Sequence, residues 1–273
     1  MKLFEGIDPL FVPKKRLGQN FLVDQKVMAR LVDACELNAD ETILEIGPGQ
    51  GALTRLLAPC VNKVIAVEAD HVLAPRLAAE FAGRNVEVHR EDILKFDLSI
   101  LGDKPVKVVG NVPYNISTPI IAMAMEQRAM FTTLFMTVQY EFGARLIARP
   151  GSRDYSSLTC FVQMFSVPAM LFKISPAAFR PAPKVMSCFM RFDLRDKPAE
   201  TILDEGDFVR VVRQAFQQRR KNVLNSLASL CSKERTHAVL EQAGVKPELR
   251  AGDLTISDYA RIANVYTAQN LLS

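Results

Sequence analysis

Three glycines on alternate residues, Gly47, Gly49 and Gly51, follow a short apolar run and precede a helical pattern. Glycines in this spacing let the chain turn sharply and bring backbone amides close to a ligand, because no Cβ stands in the way. The spacing differs from the GxGxxG of dinucleotide-binding proteins, and Pro48 removes an amide that a pyrophosphate cradle could use. The pattern therefore favours a nucleotide-like ligand other than a dinucleotide.

Two carboxylates, Glu68 and Asp92, follow the next two apolar runs. A carboxylate at residue 68 can accept hydrogen bonds from both hydroxyls of a ribose, and Asp92 or an amide beside it can contact an adenine edge. Ligands of parallel sheets bind at the carboxyl ends of the strands. We therefore predict that Gly47, Glu68 and Asp92 converge on an adenosyl cofactor.

The segment Gly110 to Tyr114 follows the next apolar run. The Asn111 side-chain oxygen and a backbone carbonyl near Pro113 could hold the two N–H groups of an adenine N6 and direct its lone pair at a methyl donor. Tyr114 could stack on the base. In isolation the segment could be an Asn-x-Pro turn, but after a glycine-rich cofactor site we interpret it as a base pocket. This chemistry needs no metal, and the scattered cysteines and histidines lack metal-ligand spacing.

An alternation of short β-branched runs with longer helical patterns begins near residue 42. It predicts strands at 42–46, 63–67, 86–89 and 106–109, with helices at 52–58, 72–81 and 118–127 between or after them. Further strands are predicted at 132–138, 167–173 and 185–193, the last two as an antiparallel pair because their link is short and rich in proline. Asp24 is predicted to cap a helix ahead of the sheet. The fold class is thus α/β, a Rossmann-like, doubly wound and mostly parallel sheet.

A boundary is predicted at 196–198, beyond which only helical patterns follow, at 208–217, 223–230, 234–243 and 257–266. We expect an α/β domain over residues 1–198, with a basic N-terminal arm at 1–23, and a small all-α domain over 199–273.

Basic residues are concentrated in acid-free stretches although the net charge is only +4. Two such clusters are Lys14, Lys15 and Arg16, and Arg219, Arg220 and Lys221. A one-sided positive face suits a phosphate backbone, so both clusters are candidate contacts to nucleic acid.

Hydrophobic residues make up 49% of the 273 residues, but none of the apolar runs approaches the ~18 residues of a membrane span. The first fifteen residues contain no apolar block, which argues against a secretory signal. The five cysteines are scattered singly, as is typical of a reducing compartment. We expect a cytoplasmic monomer that binds no membrane.

With these motifs in place, the chain resembles the KsgA-type rRNA adenine N6,N6-dimethyltransferases, which have a class I methyltransferase fold. The resemblance runs from about Lys14 to near the C-terminus. It rests on residues 17–22, 45–51, 111–118 (NVPYNIST), 179–187 (FRPAPKVMS) and 219–221.

The resemblance implies that S-adenosyl-L-methionine is the cofactor and that two adjacent adenosines near the 3′ end of small-subunit (16S) rRNA, within a pre-30S particle, are dimethylated. The cofactor contacts that it implies or that the glycine turn supplies are Asn20, Leu22, Gly47, Gly49, Gly51, Glu68, Asp92 and Asn111. The implied base pocket comprises Asn111, Pro113 and Tyr114, with Phe179 on the other face of the base.

Three positions depart from the family pattern: Val112 replaces a leucine, Tyr140 a basic residue and Ser156 a glycine. Two alternatives share this fold: a large-subunit rRNA adenine methyltransferase of the antibiotic-resistance type, and a non-catalytic ribosome-assembly or transcription factor. A nicotinamide oxidoreductase is disfavoured by the glycine spacing.

Overall fold

The computed structural model describes residues 20–272, so the predicted RNA contacts Lys14, Lys15 and Arg16 lie outside the described residues. The chain forms two compact units. The first comprises the described residues up to Gly143 together with Pro168–Leu194, and the second comprises Ala144–Val167 and the chain from Arg195 onward.

A sheet of seven strands dominates the first unit, in the order β4-β3-β2-β5-β6-β9-β7. Its strands are β2 (Thr42–Ile46), β3 (Lys63–Val67), β4 (Val86–His89), β5 (Val106–Gly110), β6 (Phe131–Gln139), β7 (Ser166–Ile174) and β9 (Ser187–Leu194). Neighbouring strands from β4 to β6 are parallel, whereas β9 is antiparallel to β6. The predicted mostly parallel sheet is confirmed, and β7 and β9 are neighbours as expected.

A separate two-stranded ribbon pairs β1 (Phe21–Leu22) antiparallel with β8 (Phe179–Arg180). Sequence periodicity did not predict it, because strands of two residues carry too few positions for an alternating pattern. The ribbon joins the segment just before the first helix to the segment just before β9.

The helices of the first unit flank the sheet and are α1 (Gln25–Ala34), α2 (Thr54–Leu57), α3 (Leu73–Glu80), α4 (Ser117–Glu126) and α5 (Tyr140–Leu146), which runs on past Gly143. Asp24 caps α1 as predicted, since its Oδ1 accepts the amides of Lys26 at 2.9 Å and Val27 at 3.1 Å. Ile43 in β2 and Val64 in β3 are fully buried. Cover on both faces explains why these strands are mostly apolar.

The second unit is helical: α6 (Ser157–Phe165), α7 (Glu205–Gln217), α8 (Val223–Leu227), α9 (Lys233–Gln242) and α10 (Ile256–Ala268). Phe208, Tyr259 and Tyr266 are buried in it. Phe165 of α6 contacts Phe208 of α7 edge to face, with ring centroids 6.5 Å apart. This packing places 144–167 with the helices, whereas the sequence prediction had included that segment in the α/β domain.

Among the described residues, none of the helices combines the length and the apolar character that a membrane span requires. All five cysteines are free thiols, and Cys35, Cys160 and Cys188 are buried.

The strand order reverses beside β2. The chain runs outward from β2 through β3 to β4 and then returns to form β5 on the other side of β2. Ile46, the last residue of β2, is in register with Val67 of β3 and Gly110 of β5. The residues that follow these three strands therefore emerge side by side at a topological switch point, where ligands of such sheets bind.

Candidate active site

A cavity of about 270 Å³ opens at this switch point, within the first unit. The predicted site residues that line it are Asn20, Leu22, Gly47, Gly49, Glu68, Asp92, Asn111 and Pro113. The strand ends thus bring residues far apart in sequence into one cleft.

The glycine turn forms the floor of the cleft in left-handed backbone conformations. Gly47 has φ of +64° and Gly49 has φ of +60°. The Gly47 amide continues the sheet by donating to the Val67 carbonyl at 2.9 Å. A Cβ on Gly49 would lie 2.9 Å from Cε1 of Phe21, so only glycine allows β1 to approach the turn this closely.

Glu68 is a buried carboxylate, 6% exposed, that organises this turn. Its Oε2 accepts the Gly49 amide at 2.9 Å and its Oε1 accepts the Asp70 amide at 2.8 Å. Burial raises the pKa of Glu68, while these backbone hydrogen bonds oppose the rise. Each carboxylate oxygen retains a further acceptor position, so two ligand hydroxyls can be held in addition to the two amides.

Glu45 and Gln50 line the cavity and were not assigned a role from the sequence. Glu45 is 2% exposed, and burial raises its pKa to about 7. Within the described part of the chain, Glu45 Oε2 and Gln50 Oε1 are buried without a hydrogen-bond partner. Buried polar atoms in this state are rare in folded proteins, and a bound water or a ligand can supply the missing donor. The available sequence signal was the acid within the otherwise buried strand β2.

The Asn111 segment forms the adjoining wall. Asn111, Val112 and Pro113 line the cavity, and a short 3-10 turn follows at Tyr114–Ile116. Tyr114 itself does not line it. Its ring is half-buried, and its hydroxyl lies 2.6 Å from Oγ of Ser187.

Two predicted ligand contacts, Gly51 and Phe179, serve packing in this structure. A Cβ on Gly51 would lie 2.6 Å from Cδ2 of Leu77, so Gly51 allows α3 to pack on the turn. Phe179 is 1% exposed, pairs with Leu22 in the ribbon and belongs to the apolar core. Neither lines the cavity.

Asp92 is exposed at the rim of the cavity and stabilises its own turn. Its Oδ1 accepts the Leu94 amide at 3.1 Å. Asp92 thus lines the cavity beyond the end of β4, and its contact with an adenine edge stays a prediction.

The three basic residues after α7 are exposed but not equivalent. Arg219 donates through Nη2 to the carbonyls of Arg153 at 3.0 Å and Tyr155 at 2.8 Å. Arg219 thus fastens the segment that precedes α6, whereas no side-chain hydrogen bond from Arg220 or Lys221 is found among the described residues.

The three departures from the family pattern have local structural explanations. Val112 is 5% exposed in the cavity wall. Lys173 Nζ lies 4.2 Å from the ring centroid of Tyr140, so a positive charge still occupies this place. Ser156 caps α6 in a reciprocal capping box with Thr159. In the described part of the chain, no group of three or more His, Cys, Asp or Glu residues could hold a metal ion.

Comparison with known proteins identifies the family. The family described as Ribosomal RNA adenine dimethylase matches residues 11–268. "Ribosomal RNA small subunit methyltransferase A" of Moorella thermoacetica is 40% identical over 264 residues, 92% of each chain. The protein of the same name from Magnetococcus marinus is 41% identical over 256 residues, 92% of this chain and 91% of that one.

Solved structures agree in fold. The 23S rRNA methyltransferase ErmE is 30% identical, with a TM-score of 0.69, and the match covers 90% of this chain and 99% of that one. A dimethyladenosine transferase from Plasmodium falciparum is 24% identical, with a TM-score of 0.78 over 92% and 98% of the two chains. The predicted resemblance is confirmed: the chain belongs to the ribosomal RNA adenine dimethylase family.

Proposed function

We propose that this protein transfers methyl groups from S-adenosyl-L-methionine to N6 of two adjacent adenosines near the 3′ end of small-subunit rRNA. The observation that carries the proposal is the convergence of Gly47, Glu68 and Asn111 on one cavity in a member of this family.

The cavity fits the cofactor by its chemistry. The glycine turn removes side chains where a ligand must approach the backbone closely, and Glu45 and Gln50 present buried acceptors without partners in the described residues. These acceptors would hold the cofactor's amino group, and Glu68 would accept its ribose hydroxyls. Asp92 and its neighbouring amides would contact the adenine edge. When bound, the cofactor supplies a methyl group activated by a sulfonium.

Asn111 and a backbone carbonyl near Pro113 would orient the acceptor nitrogen. Adenine N6 is a poor nucleophile because its lone pair is delocalised into the ring. Two acceptors on its two N–H groups favour a more tetrahedral nitrogen and direct the lone pair toward the methyl donor. The proton released on transfer can pass to these acceptors or to water, so the chain need not supply a strong general base.

The target base must leave its stack, at a cost of about a few kcal/mol. Stacking on Tyr114 offsets part of this cost. Basic residues that bind the flanking backbone offset more, in proportion to the phosphates they neutralise. Arg220 and Lys221 are the exposed candidates among the described residues, and Lys14, Lys15 and Arg16 remain predicted contacts.

The small subunit is the favoured substrate because relatives named "Ribosomal RNA small subunit methyltransferase A" are 37–41% identical over more than nine-tenths of this chain. The 23S rRNA methyltransferase ErmE is 30% identical. We propose that the protein acts as a monomer on a pre-30S particle in the cytoplasm.

The test is methyl incorporation into purified 30S and 50S subunits from cells that lack the modification, followed by mass spectrometry of the nucleosides. We expect dimethyladenosine in 30S subunits only. Incorporation into 50S subunits alone would favour the large-subunit alternative.

Asn111→Ala separates a catalytic from a non-catalytic role. The variant should lose methyl transfer while rRNA binding stays nearly unchanged, because Asn111 holds the reacting amine and not the RNA backbone. Methylation at the wild-type rate would show that the pocket is assigned wrongly.

A further inference from the structure

Ser187 is a fully buried serine, 0% exposed, whose only described side-chain hydrogen bond is the 2.6 Å contact with the Tyr114 hydroxyl. It ends the segment 179–187, in which neither the sequence nor the fold has assigned it a role.

The reversed direction of β9 explains how Ser187 reaches the active-site edge. Parallel strands β5 and β6 end at that edge, whereas β9 is antiparallel to β6 and therefore begins there. Ser187, the first residue of β9, lies opposite Gln139, the last residue of β6. The Tyr140 amide donates to the Met186 carbonyl at 2.9 Å and closes this strand end. The backbone that carries the Ser187 hydroxyl is thus held by strand pairing and by this hydrogen bond.

Tyr114, in contrast, lies on a 3-10 turn of three residues whose first position has no side-chain cap. Its aromatic ring can rotate about two side-chain torsions unless a contact holds it. Burial raises the pKa of Tyr114, so the phenol is neutral and can share a proton with a serine hydroxyl. The hydroxyl lies on the Cβ–Cγ axis about which the ring turns, so the contact with Ser187 fixes the direction of that axis, which χ1 sets, and hence where the ring lies.

We propose that Ser187 is a positioning residue for base stacking, which holds the Tyr114 ring at the place where the extruded adenine stacks. This inference rests on the proposed function, because it assumes that Tyr114 stacks on the target base. Ser187 acts through Tyr114 and touches neither the cofactor nor the reacting nitrogen.

The mechanism is preorganisation. A ring whose χ1 is already fixed loses less torsional freedom when the base arrives than a ring that must be ordered about both side-chain torsions. Loss of the hydrogen bond should therefore slow transfer to RNA and leave cofactor binding unchanged.

The experiment is a double-mutant cycle of Ser187→Ala and Tyr114→Phe, assayed for methyl transfer to undermethylated 30S subunits. Each single variant retains an aromatic ring and loses the hydroxyl contact. We expect each to lower kcat/KM for the subunits about five- to tenfold, the scale of one hydrogen bond. We expect the double variant to be no slower than either single variant, because both changes remove the same contact.

The matched control is Ser166→Ala. Ser166 is also a buried serine at the start of a strand, and its Oγ donates to the Val162 carbonyl at 2.8 Å. This variant should lower the thermal midpoint without changing kcat/KM beyond the loss of folded protein. Calorimetric titration with S-adenosyl-L-methionine should give the wild-type Kd for Ser187→Ala.

Three results would overturn the inference: wild-type kcat/KM for Ser187→Ala, multiplicative losses in the double variant, or weaker cofactor binding that parallels the loss of rate. In these cases the wild-type protein is still active, so the proposed function stands. If the wild-type protein transfers no methyl group to either subunit, the proposed function fails and the inference fails with it.

Discussion

The amide of Gly49 donates a 2.9 Å hydrogen bond to Oε2 of Glu68, which lies at the end of the neighbouring strand. One carboxylate therefore shapes the glycine turn and, in the proposed function, also receives the ribose. Neutralising the charge of Glu68 should therefore affect both the glycine turn and the binding of the ribose.

Glu68→Gln should weaken binding of S-adenosyl-L-methionine about 10- to 100-fold, because hydrogen bonds to a charged acceptor are worth about 1.5–3 kcal/mol. The glutamine side chain also carries an NH2 group, which would face one of the two backbone N–H groups that Glu68 now accepts, so that hydrogen bond would be lost. Calorimetric titration measures the change. Glu87→Gln is the control, since Glu87 lies on the edge strand β4 and pairs with Lys63 of β3 and with His89 of its own strand. Equal affinity of the two variants would contradict the assignment of Glu68.

Glu45→Gln should stabilise the cofactor-free protein at pH 8. Burial raises the pKa of Glu45 to about 7 in the folded protein, whereas it is about 4.3 in an unfolded chain. Ionisation therefore penalises folding above pH ~7, and the penalty fades as the pH falls toward ~4. The expected gain at pH 8 is on the order of 1–3 kcal/mol and shrinks toward pH 5.

Denaturant unfolding at several pH values measures this difference. Glu126→Gln, which changes an exposed glutamate of α4, is the control and should follow the wild type at every pH. A stability gain for Glu45→Gln that is independent of pH would show that Glu45 is already ionised in the folded protein.

Gly49→Ala and Gly83→Ala form a matched pair. Both glycines have positive φ, +60° and +74°, but a Cβ at Gly83 meets nothing within 4 Å. Gly83→Ala should cost about 1 kcal/mol from the backbone alone and leave cofactor affinity unchanged. Gly49→Ala should cost a further ~1–3 kcal/mol through overlap with Phe21 and should weaken cofactor binding at least about tenfold. Equal stability and equal cofactor affinity of the two variants would mean that β1 can move away from the new Cβ without cost.

Arg219 and Arg220 should respond differently to alanine. Arg220→Ala should weaken rRNA binding and reduce the slope of log K against log salt by about 1, with little effect on stability. Arg219→Ala should lower the thermal midpoint, because two carbonyls of the segment before α6 lose their donor. Filter binding at several salt concentrations, together with thermal unfolding, distinguishes the two. If Arg219→Ala leaves the thermal midpoint unchanged, the sequence-based prediction that Arg219 contacts RNA would be favoured.

The sheet could be predicted from the sequence because buried parallel strands and amphipathic helices leave patterns of several residues each. The convergence of Gly47, Glu68 and Asn111 was predictable because each follows a predicted parallel strand, and the carboxyl ends of such strands share one edge of the sheet. The Asp24 cap was also readable, since capping uses a side chain two or three residues from the amides it accepts.

Other features depend on contacts between distant segments, which local patterns do not record. The ribbon that pairs Leu22 with Phe179 is too short to leave a periodic pattern in the sequence. Phe179, which lies in this ribbon, packs in the core, and no local pattern records this because its partners are distant in sequence. From the sequence, Gly51 resembles a ligand-binding glycine, and only the structure shows that Leu77 of α3 occupies the space that a Cβ at Gly51 would need. The segment 144–167 joins the helical unit through packing of Phe165 on Phe208, which its position in the chain does not reveal.

The ribbon of β1 and β8 makes two short stretches of chain interdependent for anyone who cuts or recombines this protein. A fragment that starts after Asp24 would keep all seven strands of the main sheet. It would nevertheless lose one side of the cofactor cleft, and Phe179 and Arg180 would lose their backbone partner. Chimaeras with related enzymes should therefore exchange residues 20–22 and 179–180 together.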